Sequence, residues 1–373
     1  MLKANSFKNP TEEFLNCIAG SDSVYLYGYS NLSRNAYHIL KRVYGLKIKG
    51  IVVTHLPKSL DQNVDYVFEA ASIDLMNSMV IISTNSIFWN EIRENVKDKC
   101  KSVFYYTEEV DEIIKNNLNE LPLIETRFLN ICVGQACNLK CRDCVNFAPY
   151  AKRENLRYPI EKIIGDIDLL LPYFSRIDTL HIQGGEVFLY TDLYDLLSYL
   201  SSTYDRIIGK IQIATNGHII PDEKILTLLA NGKFEVRISD YKHISNPECL
   251  LSELENRKIP YRIYEFAGNR GKWNDSGGLH FAQPDECDSE EKILRCRWCT
   301  CYTLENHKVG RCGRSIPAIT VQKISPKDKD YLYIDKDISI EMVRNYFMFI
   351  KPMEACRYCK GSNGPEIEAA IQM

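Results

Sequence analysis

Five strand-like segments alternate with helix-like segments through the middle of the chain. The strand candidates are short runs rich in β-branched and aromatic residues: Arg127–Val133, Thr179–Gln183, Lys210–Ala214, Glu235–Ser239 and Tyr261–Glu265. The helix candidates carry apolar residues at helical spacing: Pro159–Tyr173, Asp192–Thr203, Asp222–Leu229 and Pro247–Arg257. Because sequential strand–helix units form a parallel sheet, we predict an α/β fold for residues 126–270, in the form of a partial (β/α)6 TIM-like barrel. Sites in parallel barrels gather at the carboxyl ends of the strands.

A shorter alternation of strand-like and helix-like segments precedes the predicted barrel. It predicts a small parallel sheet covered by helices in residues 1–120. The segments that carry this pattern are the strand candidates 22–28, Ile48–Thr54 and Met79–Ser83 and the helical stretch 31–43. Polar, helical residues follow at Glu108–Thr126, and we interpret them as a linker to the barrel.

The first strand-to-helix turn of this N-terminal region is a degraded dinucleotide fingerprint. It reads Gly28-Tyr-Ser30-Asn-Leu-Ser33, with serine in place of two glycines. The second glycine of the intact motif lets the backbone approach a pyrophosphate, and a serine there obstructs that approach. Thr54 and His55 end the second strand, where a ribose-binding acid would be expected. We therefore predict a degenerate Rossmann-like accessory domain that does not bind NAD and serves for docking.

Length and composition indicate an ordinary globular protein. With 373 residues, 45% of them hydrophobic and 25% charged, the chain should hold two or three domains. A net charge of −3 gives no broad basic surface for nucleic acid. No apolar run approaches the roughly 18 residues of a membrane span, and the first residues lack the apolar core of a secretory signal. We expect a cytoplasmic protein with neither nucleic acid nor membrane as a partner.

The fourteen cysteines are unevenly distributed, and ten of them fall in two clusters, 137–144 and 287–359. Clustered cysteines in a reducing compartment indicate metal binding rather than disulfides. The four scattered cysteines are expected to be buried structural thiols, because a free cysteine packs as a small hydrophobe: Cys17, Cys100, Cys132 and Cys249.

The first cluster has the spacing C-x3-C-x2-C, and its three thiolates can all turn towards one centre. Three thiolates on a four-iron, four-sulfur cluster leave one iron without a protein ligand. The stretch resembles the cluster motif of radical S-adenosylmethionine (radical SAM) enzymes. The resemblance implies that Cys137, Cys141 and Cys144 are catalytic and hold a [4Fe–4S] cluster whose open iron binds SAM. The family usually has an aromatic residue before the third cysteine, near adenine, but this chain has Asp143 there, with Phe147 nearby.

Three further motifs follow the ends of the next predicted strands and resemble the SAM pocket of the same family. Gln183-Gly-Gly-Glu-Val-Phe-Leu189 resembles the motif that binds the methionine amino group, since glycines admit close backbone approach and a carboxylate accepts hydrogen bonds from ammonium. Thr215-Asn216-Gly217 resembles the turn near the ribose, and Ser239-Asp240 the ribose-contacting serine region. The resemblance implies that SAM is bound by these residues: Gly184, Gly185, Glu186, Thr215, Asn216, Ser239 and Asp240.

The second cluster of cysteines lies in the C-terminal region and contains Cys287, Cys296, Cys299, Cys301, Cys312, Cys356 and Cys359. Two C-x2-C pairs make a four-thiolate zinc site the main rival interpretation. The stretch from Cys301 to Cys312 resembles the start of the SPASM or Twitch extension of radical SAM enzymes, which binds auxiliary iron–sulfur clusters. For residues 271–373 the resemblance implies one auxiliary cluster held by Cys301, Cys312, Cys356 and Cys359. Cys299 is the main competitor, and Cys287 and Cys296 stay unassigned.

The resemblance spans residues 126–359 and implies reductive cleavage of SAM to a 5′-deoxyadenosyl radical, with electrons from a donor such as flavodoxin or ferredoxin. We favour hydrogen abstraction from a sugar, nucleotide sugar or similar small polar substrate, leading to dehydrogenation, epimerisation or dehydration. The N-terminal region supports this, because it resembles accessory modules of bacterial surface-sugar proteins at the level of fold. The alternatives are maturation of a ribosomally made peptide and a non-catalytic electron carrier or zinc scaffold. We further hypothesise that Trp273 and Asp275 bind substrate, although a plain surface loop would also explain Lys272–Gly278.

Overall fold

The computed structural model divides the chain into two compact units. Unit 1 comprises Met1–Glu125 with Arg344–Phe349, and unit 2 comprises Thr126–Val343 with Ile350–Met373. The structure describes residues 10–44, 48–56, 66–116, 118–241, 244, 246–265, 272–277 and 289–373.

Unit 1 is built on a five-stranded sheet. Its strands are β1 (Ser23–Tyr27), β2 (Ile48–Val53), β3 (Val67–Glu69), β4 (Ser78–Ile82) and β5 (Ser102–Tyr105), and its helices are α1 (Pro10–Ala19), α2 (Asn31–Tyr44), α3 (Trp89–Val96) and α4 (Glu108–Lys115). The strands lie in the order β3-β2-β1-β4-β5, and every neighbouring pair is parallel. The predicted N-terminal parallel sheet is therefore present, and β3 and β5 add strands that the sequence patterns did not indicate.

The interpretation of Glu108–Thr126 as a linker is wrong for its first half. Residues Glu108–Lys115 form α4, whose Val110 and Ile114 are buried in the core of unit 1. The helix is amphipathic, and Thr107 caps its first turn by accepting a hydrogen bond from the Val110 N–H at 3.3 Å. The polar residues of this segment therefore belong to an amphipathic helix packed on unit 1 and not to a solvent-exposed linker.

Unit 2 is built on an eight-stranded sheet. Its strands are β6 (Ile124–Cys132, whose first two residues belong to unit 1), β7 (Phe174–Gln183), β8 (Ile208–Thr215), β9 (Phe234–Asp240), β10 (Tyr261–Glu265), β12 (Tyr302–Glu305), β13 (Lys308–Gly310) and β14 (Leu332–Tyr333). They lie in the order β10-β9-β8-β7-β6-β12-β13-β14. Neighbouring strands from β7 to β10 are parallel, as is β6 with β12, whereas β13 is antiparallel to both of its neighbours. The molecule is thus a mixed α/β protein with parallel sheets, as predicted.

The remaining elements of the chain are mostly helices. These are α5 (Ile160–Leu170), α6 (Leu193–Thr203), α7 (Glu223–Ala230), α8 (Glu248–Asn256), α9 (Ser289–Arg295), α10 (Ser315–Val321), α11 (Ile340–Met348) and α12 (Glu354–Arg357), with an antiparallel pair of strands β11 (Lys272–Asn274) and β15 (Glu366–Glu368). The four predicted helices coincide with α5 to α8 within a few residues. Asp222 caps α7 as an N-terminal residue should, its carboxylate accepting the Ile225 N–H at 3.0 Å. Among the helices of the described ranges, none is both long and apolar enough to cross a membrane.

Side chains alternate along β6 to β9 between apolar and polar, as the two-residue period of a strand requires. The buried apolar positions include Leu129, Ile131, Leu180, Ile182, Ile211, Ile213, Val236 and Ile238. The intervening positions form what we term the polar face: Asn130, His181, Gln212, Glu235, Arg237 and Ser239. The polar face therefore presents amide, charged and imidazole groups that can form hydrogen bonds beneath the carboxyl ends of the strands.

Candidate active site

Loops that follow β6 and β7 pack directly on each other at the carboxyl ends of the strands. The Gly185 N–H donates to the Gly134 carbonyl at 2.9 Å, and the Glu186 N–H donates to the Ala136 carbonyl at 2.7 Å. The side chain of Asn146 donates to the Gly184 carbonyl at 3.0 Å. The loop that carries the first three cysteines is therefore held against the Gly184-Gly185-Glu186 turn by its main chain.

The two glycines of this turn are required by that contact between backbones. A Cβ on Gly184 would lie 2.1 Å from the Gly134 oxygen, and a Cβ on Gly185 would lie 2.2 Å from the Ala136 oxygen. Neither oxygen can move without breaking the loop, because both belong to the main chain. The sequence analysis explained these two glycines by the close approach of a ligand. The structure adds a second explanation, because the main chain of the cysteine loop also approaches them closely.

Glu186 joins the turn to the next strand end. Its Oε1 accepts the Phe188 N–H at 3.1 Å and its Oε2 accepts the Asn216 N–H at 2.7 Å. The side chain is buried, and this burial raises the pKa of the carboxyl group although the two backbone hydrogen bonds oppose the rise. The side chain of Thr215 also hydrogen-bonds to this carboxylate, and the predicted role of Glu186 towards an ammonium group stays a prediction.

The turn at Thr215-Asn216-Gly217 reaches the cysteine loop through Asn216. Its Nδ2 donates to Asn138 Oδ1 at 2.7 Å and lies 3.9 Å from the Cys137 sulfur. The turn itself is closed by the Gly217 N–H donating to Thr215 Oγ1 at 3.0 Å, with Gly217 at a φ of +78°. A residue with a Cβ would be strained at that φ, so the glycine sets the direction in which Asn216 points.

Each of the three loop cysteines has an N–H donor beside its sulfur. Cys137 Sγ lies 3.4 Å from the Leu139 N–H and Cys141 Sγ lies 3.2 Å from Nε2 of Gln372. Backbone amides that follow Cys144 hydrogen-bond to its sulfur. Burial raises the pKa of all three thiols, to about 12 for Cys137, and the N–H donors oppose this rise. N–H groups favour an anionic sulfur, but burial outweighs them at all three cysteines, so a metal centre would be needed to keep these sulfurs deprotonated.

Gln372 belongs to a C-terminal segment that no sequence signal pointed to. Residues 371–373 run antiparallel to the cysteine loop: the Arg142 N–H donates to the Ile371 carbonyl at 2.8 Å, and the Met373 N–H to the Lys140 carbonyl at 3.0 Å. The Gln372 side chain also accepts the Lys140 N–H at 2.8 Å. We term residues 371–373 the C-terminal strap. It fixes the middle cysteine of the three from a distance of 231 residues in sequence.

Asp143 occupies the position before the third cysteine, where an aromatic residue was expected, and Phe147 lies nearby in sequence. The Asp143 carboxylate accepts a hydrogen bond from Arg142 Nε at 3.0 Å. Phe147 is fully buried beneath the guanidinium of Arg314, whose carbon lies 4.2 Å from the ring centre. Phe147 is therefore not available to stack on adenine, and Tyr241 and Tyr150 are two other aromatic side chains near the cysteines. Tyr241 contacts Trp273 edge to face, with ring centres 5.7 Å apart.

Ser239 and Asp240 lie at the carboxyl end of β9. The Ser239 hydroxyl hydrogen-bonds to Tyr241, whose pKa is raised by burial and by the nearby thiols Cys144 and Cys141. Asp240 is buried. The predicted SAM residues therefore occupy successive strand ends, with Glu186 bonded to the Asn216 turn and Tyr241 placed between Ser239 and the cysteines.

The C-terminal cysteines line one cavity, but Cys301 is not among the cysteines that line it. The lining thiols are Cys296, Cys299, Cys312, Cys356 and Cys359. Basic side chains also line it: Lys292, Arg311 and Arg314. Cys301 lies just before β12 and its sulfur is 3.9 Å from the Arg297 carbonyl. Cys299 and Cys296 line the cavity and both lie near Cys301, so the predicted ligand role of Cys301 stays a prediction. Cys287 lies outside the described residues.

Trp273 and Asp275 lie on and just after β11. Asp275 is engaged within the protein, because its carboxylate accepts hydrogen bonds from the Lys360 ammonium at 2.5 Å and from the Gly277 N–H at 2.7 Å. Its hypothesised contact with substrate stays a prediction, as does that of Trp273. The final residue of this stretch, Gly278, lies outside the described ranges.

The scattered cysteines differ in burial. Cys132 is buried, as predicted, whereas Cys17 and Cys100 are half-buried. The prediction is wrong for Cys249, which is exposed on α8. Its neighbours Leu250 and Leu254 face the core, and helical periodicity turns Cys249 away from them. Across the part of the chain that the structure describes, no three Cys, His, Asp or Glu side chains are placed as ligands of a single metal ion.

Comparison with solved structures finds matches at low sequence identity. Streptococcus suis SuiB matches at 21% identity and a TM-score of 0.30, over 48% of this chain and 44% of that one. The structure of affinity-tagged anSMEcpe with bound AdoMet matches at 22% identity and a TM-score of 0.30, over 37% of this chain and 42% of that one. BtrN in complex with AdoMet and 2-DOIA matches at 12% identity and a TM-score of 0.43, over 66% of this chain and 98% of that one.

The chain thus spans less than half the length of the SuiB and anSMEcpe structures that it matches. The sequence matches no protein-family model and no curated protein.

Proposed function

We propose that this chain is a radical SAM enzyme whose catalytic cluster is held by Cys137, Cys141 and Cys144. The observation that carries the proposal is the set of N–H donors beside all three sulfurs, on one loop at the carboxyl ends of the strands. Iron–sulfur clusters are held by thiolates and tuned by hydrogen bonds to sulfur. When bound, a [4Fe–4S] cluster would supply the electron that cleaves SAM reductively.

The surrounding residues have separate tasks in this proposal. Glu186 keeps the cysteine loop and the Asn216 turn in register and accepts a hydrogen bond from the ammonium of SAM at the acceptor site that Phe188, Asn216 and Thr215 leave unused. Thr215, Asn216, Ser239 and Asp240 line the path of the ribose and adenosine along successive strand ends. Gly184 and Gly185 let the loop of the cysteines close on the sheet, which excludes water from the reacting atoms.

The finer description of the fold is part of the proposal. The strand order β3-β2-β1-β4-β5 supports a Rossmann-like domain for unit 1. Its α2 begins beside Ser30 and Ser33, whose hydroxyl groups hydrogen-bond to the Ser83 carbonyl at 3.2 and 2.6 Å, and this supports a turn without a bound pyrophosphate. The sequential strands β6 to β10 support a partial (β/α)6 barrel for unit 2. We keep the boundaries 1–120, 126–270 and 271–373 as the proposed domains.

We also propose one auxiliary iron–sulfur cluster in the cavity of the C-terminal cysteines, within a SPASM/Twitch-like region. The basic lining of the cavity supports an anionic group, and Lys292 orders the C-x2-C pair by donating to the carbonyls of Cys356 and Cys359 at 3.4 and 3.1 Å. Cys312, Cys356 and Cys359 remain the proposed ligands. The fourth comes from Cys296 or Cys299, because both line the cavity and Cys301 does not.

For the substrate we propose a sugar, nucleotide sugar or similar small polar molecule. The polar face supports this class, because hydrogen-bonding groups in a buried site bind hydroxyl-rich molecules with their polar atoms paired. The reaction that follows hydrogen abstraction is dehydrogenation, epimerisation or dehydration, with electrons from a flavodoxin or ferredoxin. Modification of a ribosomally made peptide is the outcome that would replace this substrate class.

The test is anaerobic reconstitution with iron and sulfide, followed by reduction with dithionite in the presence of SAM. We expect formation of 5′-deoxyadenosine and a change in the electron paramagnetic resonance spectrum of the cluster on SAM addition. Cys141→Ser should abolish both, and Cys249→Ser, at an exposed position on α8, should change neither. Wild-type protein that gains iron but forms no 5′-deoxyadenosine under these conditions would overturn the proposal.

A further inference from the structure

Glu235 of the polar face is paired with two cations, Lys210 of β8 and Arg262 of β10, which face the same way in the strand register. Glu235 accepts hydrogen bonds from Gln212 at 2.5 Å, from Lys210 at 3.2 Å and from Arg262 Nε at 3.1 Å. The pKa of this carboxyl group is lowered, because these partners outweigh the effect of its burial. Lys210 and Arg262 therefore each have a carboxylate partner within the protein, which they share.

Arg237 is the exception on this face. Its guanidinium lies over the ring of Tyr264, with the carbon 4.4 Å from the ring centre. In the described ranges no carboxylate lies within ion-pair distance of it and no acceptor takes a hydrogen bond from its side chain. A guanidinium stacked on a ring keeps its N–H groups directed outwards along its edge, ready for a planar pair of oxygens. The side chain is half-buried, so this unpaired charge is only partly hydrated.

The neighbours of Arg237 include a small side chain and a buried imidazole. Ala214 of β8 is paired with it in register, and it is the smallest side chain among the positions that face the same way. His181, on β7, is buried and neutral, since burial and then the charge of Arg237 lower its pKa to about 3. Its Nδ1 bonds to Asn130 Oδ1 at 2.8 Å, and Nε2 has no partner in the part of the chain described here. An unpaired cation thus lies beside a small residue and an unsatisfied buried imidazole.

Arg237 is also close to the proposed site of SAM cleavage. It precedes Ser239 by two residues on β9, which places the two side chains on one face about 6.6 Å apart along the strand. Ser239 bonds to Tyr241, which lies beside the thiols of Cys141 and Cys144. A small substrate held at Arg237 would therefore reach the region of the cysteine loop with its opposite end.

We infer that Arg237 is the subsite for an anionic group, phosphoryl or carboxylate, of the small polar substrate. This rests on the proposed function, because only an enzyme acting at the cysteine loop would need a substrate anchored there. Arginine binds such groups with two parallel hydrogen bonds, which fixes the orientation of the substrate as well as its position. The Tyr264 ring holds the guanidinium in place, and Ala214 leaves room for the bound group.

The experiment measures binding to reconstituted holoenzyme with SAM, by anaerobic calorimetry with three probes: UDP-glucose, glucuronate and glucose. We expect an anionic probe to bind more tightly than glucose, and the stronger of the two identifies phosphoryl or carboxylate as the recognised group. Arg237→Gln should weaken that probe by about 10- to 100-fold, the range for a hydrogen bond to a charged group, while SAM affinity stays unchanged. Arg237→Lys should be intermediate, because it keeps the charge and loses the fork.

Lys210→Gln is the matched control, since it removes a cation of the same face that already has a carboxylate partner, and it should leave probe binding unchanged. Circular dichroism spectra that match wild type would establish that each variant is folded. Equal binding of all three probes, binding of none, or weakened SAM binding in Arg237→Gln would overturn the inference. Wild-type protein that cleaves SAM but binds neither anion overturns the subsite alone, whereas failure to cleave SAM overturns the proposed function.

Discussion

A buried carboxylate in unit 1 allows the stability of that unit to be tested quantitatively. Glu125 accepts hydrogen bonds from Arg34 at 2.6 and 2.9 Å, from His38 Nε2 at 2.8 Å and from the Tyr66 hydroxyl at 3.0 Å. Arg34 has no exposed side-chain surface and Glu125 has 10%. A charge so deeply buried is tolerated only while its partner is present.

The effect on stability follows from the pKa of Glu125. Burial, the largest single influence, raises this pKa, but the His38 hydrogen bond and the Arg34 charge outweigh it and lower the value from 4.5 to about 2. A decrease of that size stabilises the folded state by about 3 kcal/mol at neutral pH. Because the folded-state pKa is the lower one, the contribution is complete above pH 4.5 and is lost as the pH falls towards 2.

Glu125→Gln should therefore lower the unfolding free energy of unit 1 by about 3–5 kcal/mol at pH 7, since it also leaves Arg34 without its counter-charge. Trp89 reports on this unit, being stacked on Tyr105 with ring centres 4.5 Å apart. The chain has three tryptophans, so Trp273→Phe and Trp298→Phe in the full-length protein leave Trp89 as the only one. Urea unfolding followed by its fluorescence measures the difference between the carboxylate and the amide.

The matched control is Glu94→Gln, which breaks the exposed pair with Lys97 and should leave the unfolding curve unchanged. The difference between Glu125→Gln and its parent should narrow as the pH falls below 4.5, because the parent protonates and the amide does not. Equal stability of the two proteins at pH 7, or a difference that stays constant in acid, would refute the reasoning.

Three further predictions concern unit 2. Gly184→Ala should abolish formation of 5′-deoxyadenosine, because its Cβ would meet the main chain of the cysteine loop, whereas Gly165→Ala in α5, with nothing within 4 Å of the new Cβ, should remain active; equal activity would contradict this. Cys301→Ser should retain the full iron content and Cys356→Ser should lose the auxiliary share, as measured by iron analysis; the reverse result would restore Cys301 as a ligand. Gln372→Leu should make the potential of the catalytic cluster more negative by roughly tens of millivolts in a spectroelectrochemical titration, since it removes an N–H donor from a ligand sulfur; an unchanged potential would exclude this role.

Local patterns in the sequence were sufficient for the elements that carry the proposed SAM site. The strands β6 to β10 and the helices α5 to α8 are long enough for their periodicity to be read, and the motifs lie where these strands end. The missed strands β3, β5 and β11 to β15 have only two to four residues, which is too short for an alternation to be recognised. Their existence depends on pairing with distant strands rather than on their own composition.

The ligand set of the second cysteine group could not be derived from spacing. Cys299 and Cys301 are two residues apart, and spacing alone fits either of them. The structure separates them because β12 pairs in parallel with β6, which fixes the course of the chain at Tyr302. Asn130 of β6 reinforces this, as its Nδ2 donates to the carbonyls of Cys301 and Tyr302 at 2.9 and 3.0 Å. A contact between residues so far apart in sequence has no local signature.

The same C-terminal stretch completes both cysteine groups, and this has a physical consequence for how they behave. It provides Cys356 and Cys359 to the cavity, and through Gln372 it provides the donor to the Cys141 sulfur. Between them, Gly364 lies so close to the Asp275 carbonyl that a Cβ would be 1.9 Å from that oxygen, so this part of the stretch cannot shift freely. Arg314 adds a second connection, because it lines the cavity and covers the Phe147 ring, close to Cys144 in sequence. The two cysteine groups therefore share one stretch of main chain, and we predict that occupancy of one favours occupancy of the other without being required for it.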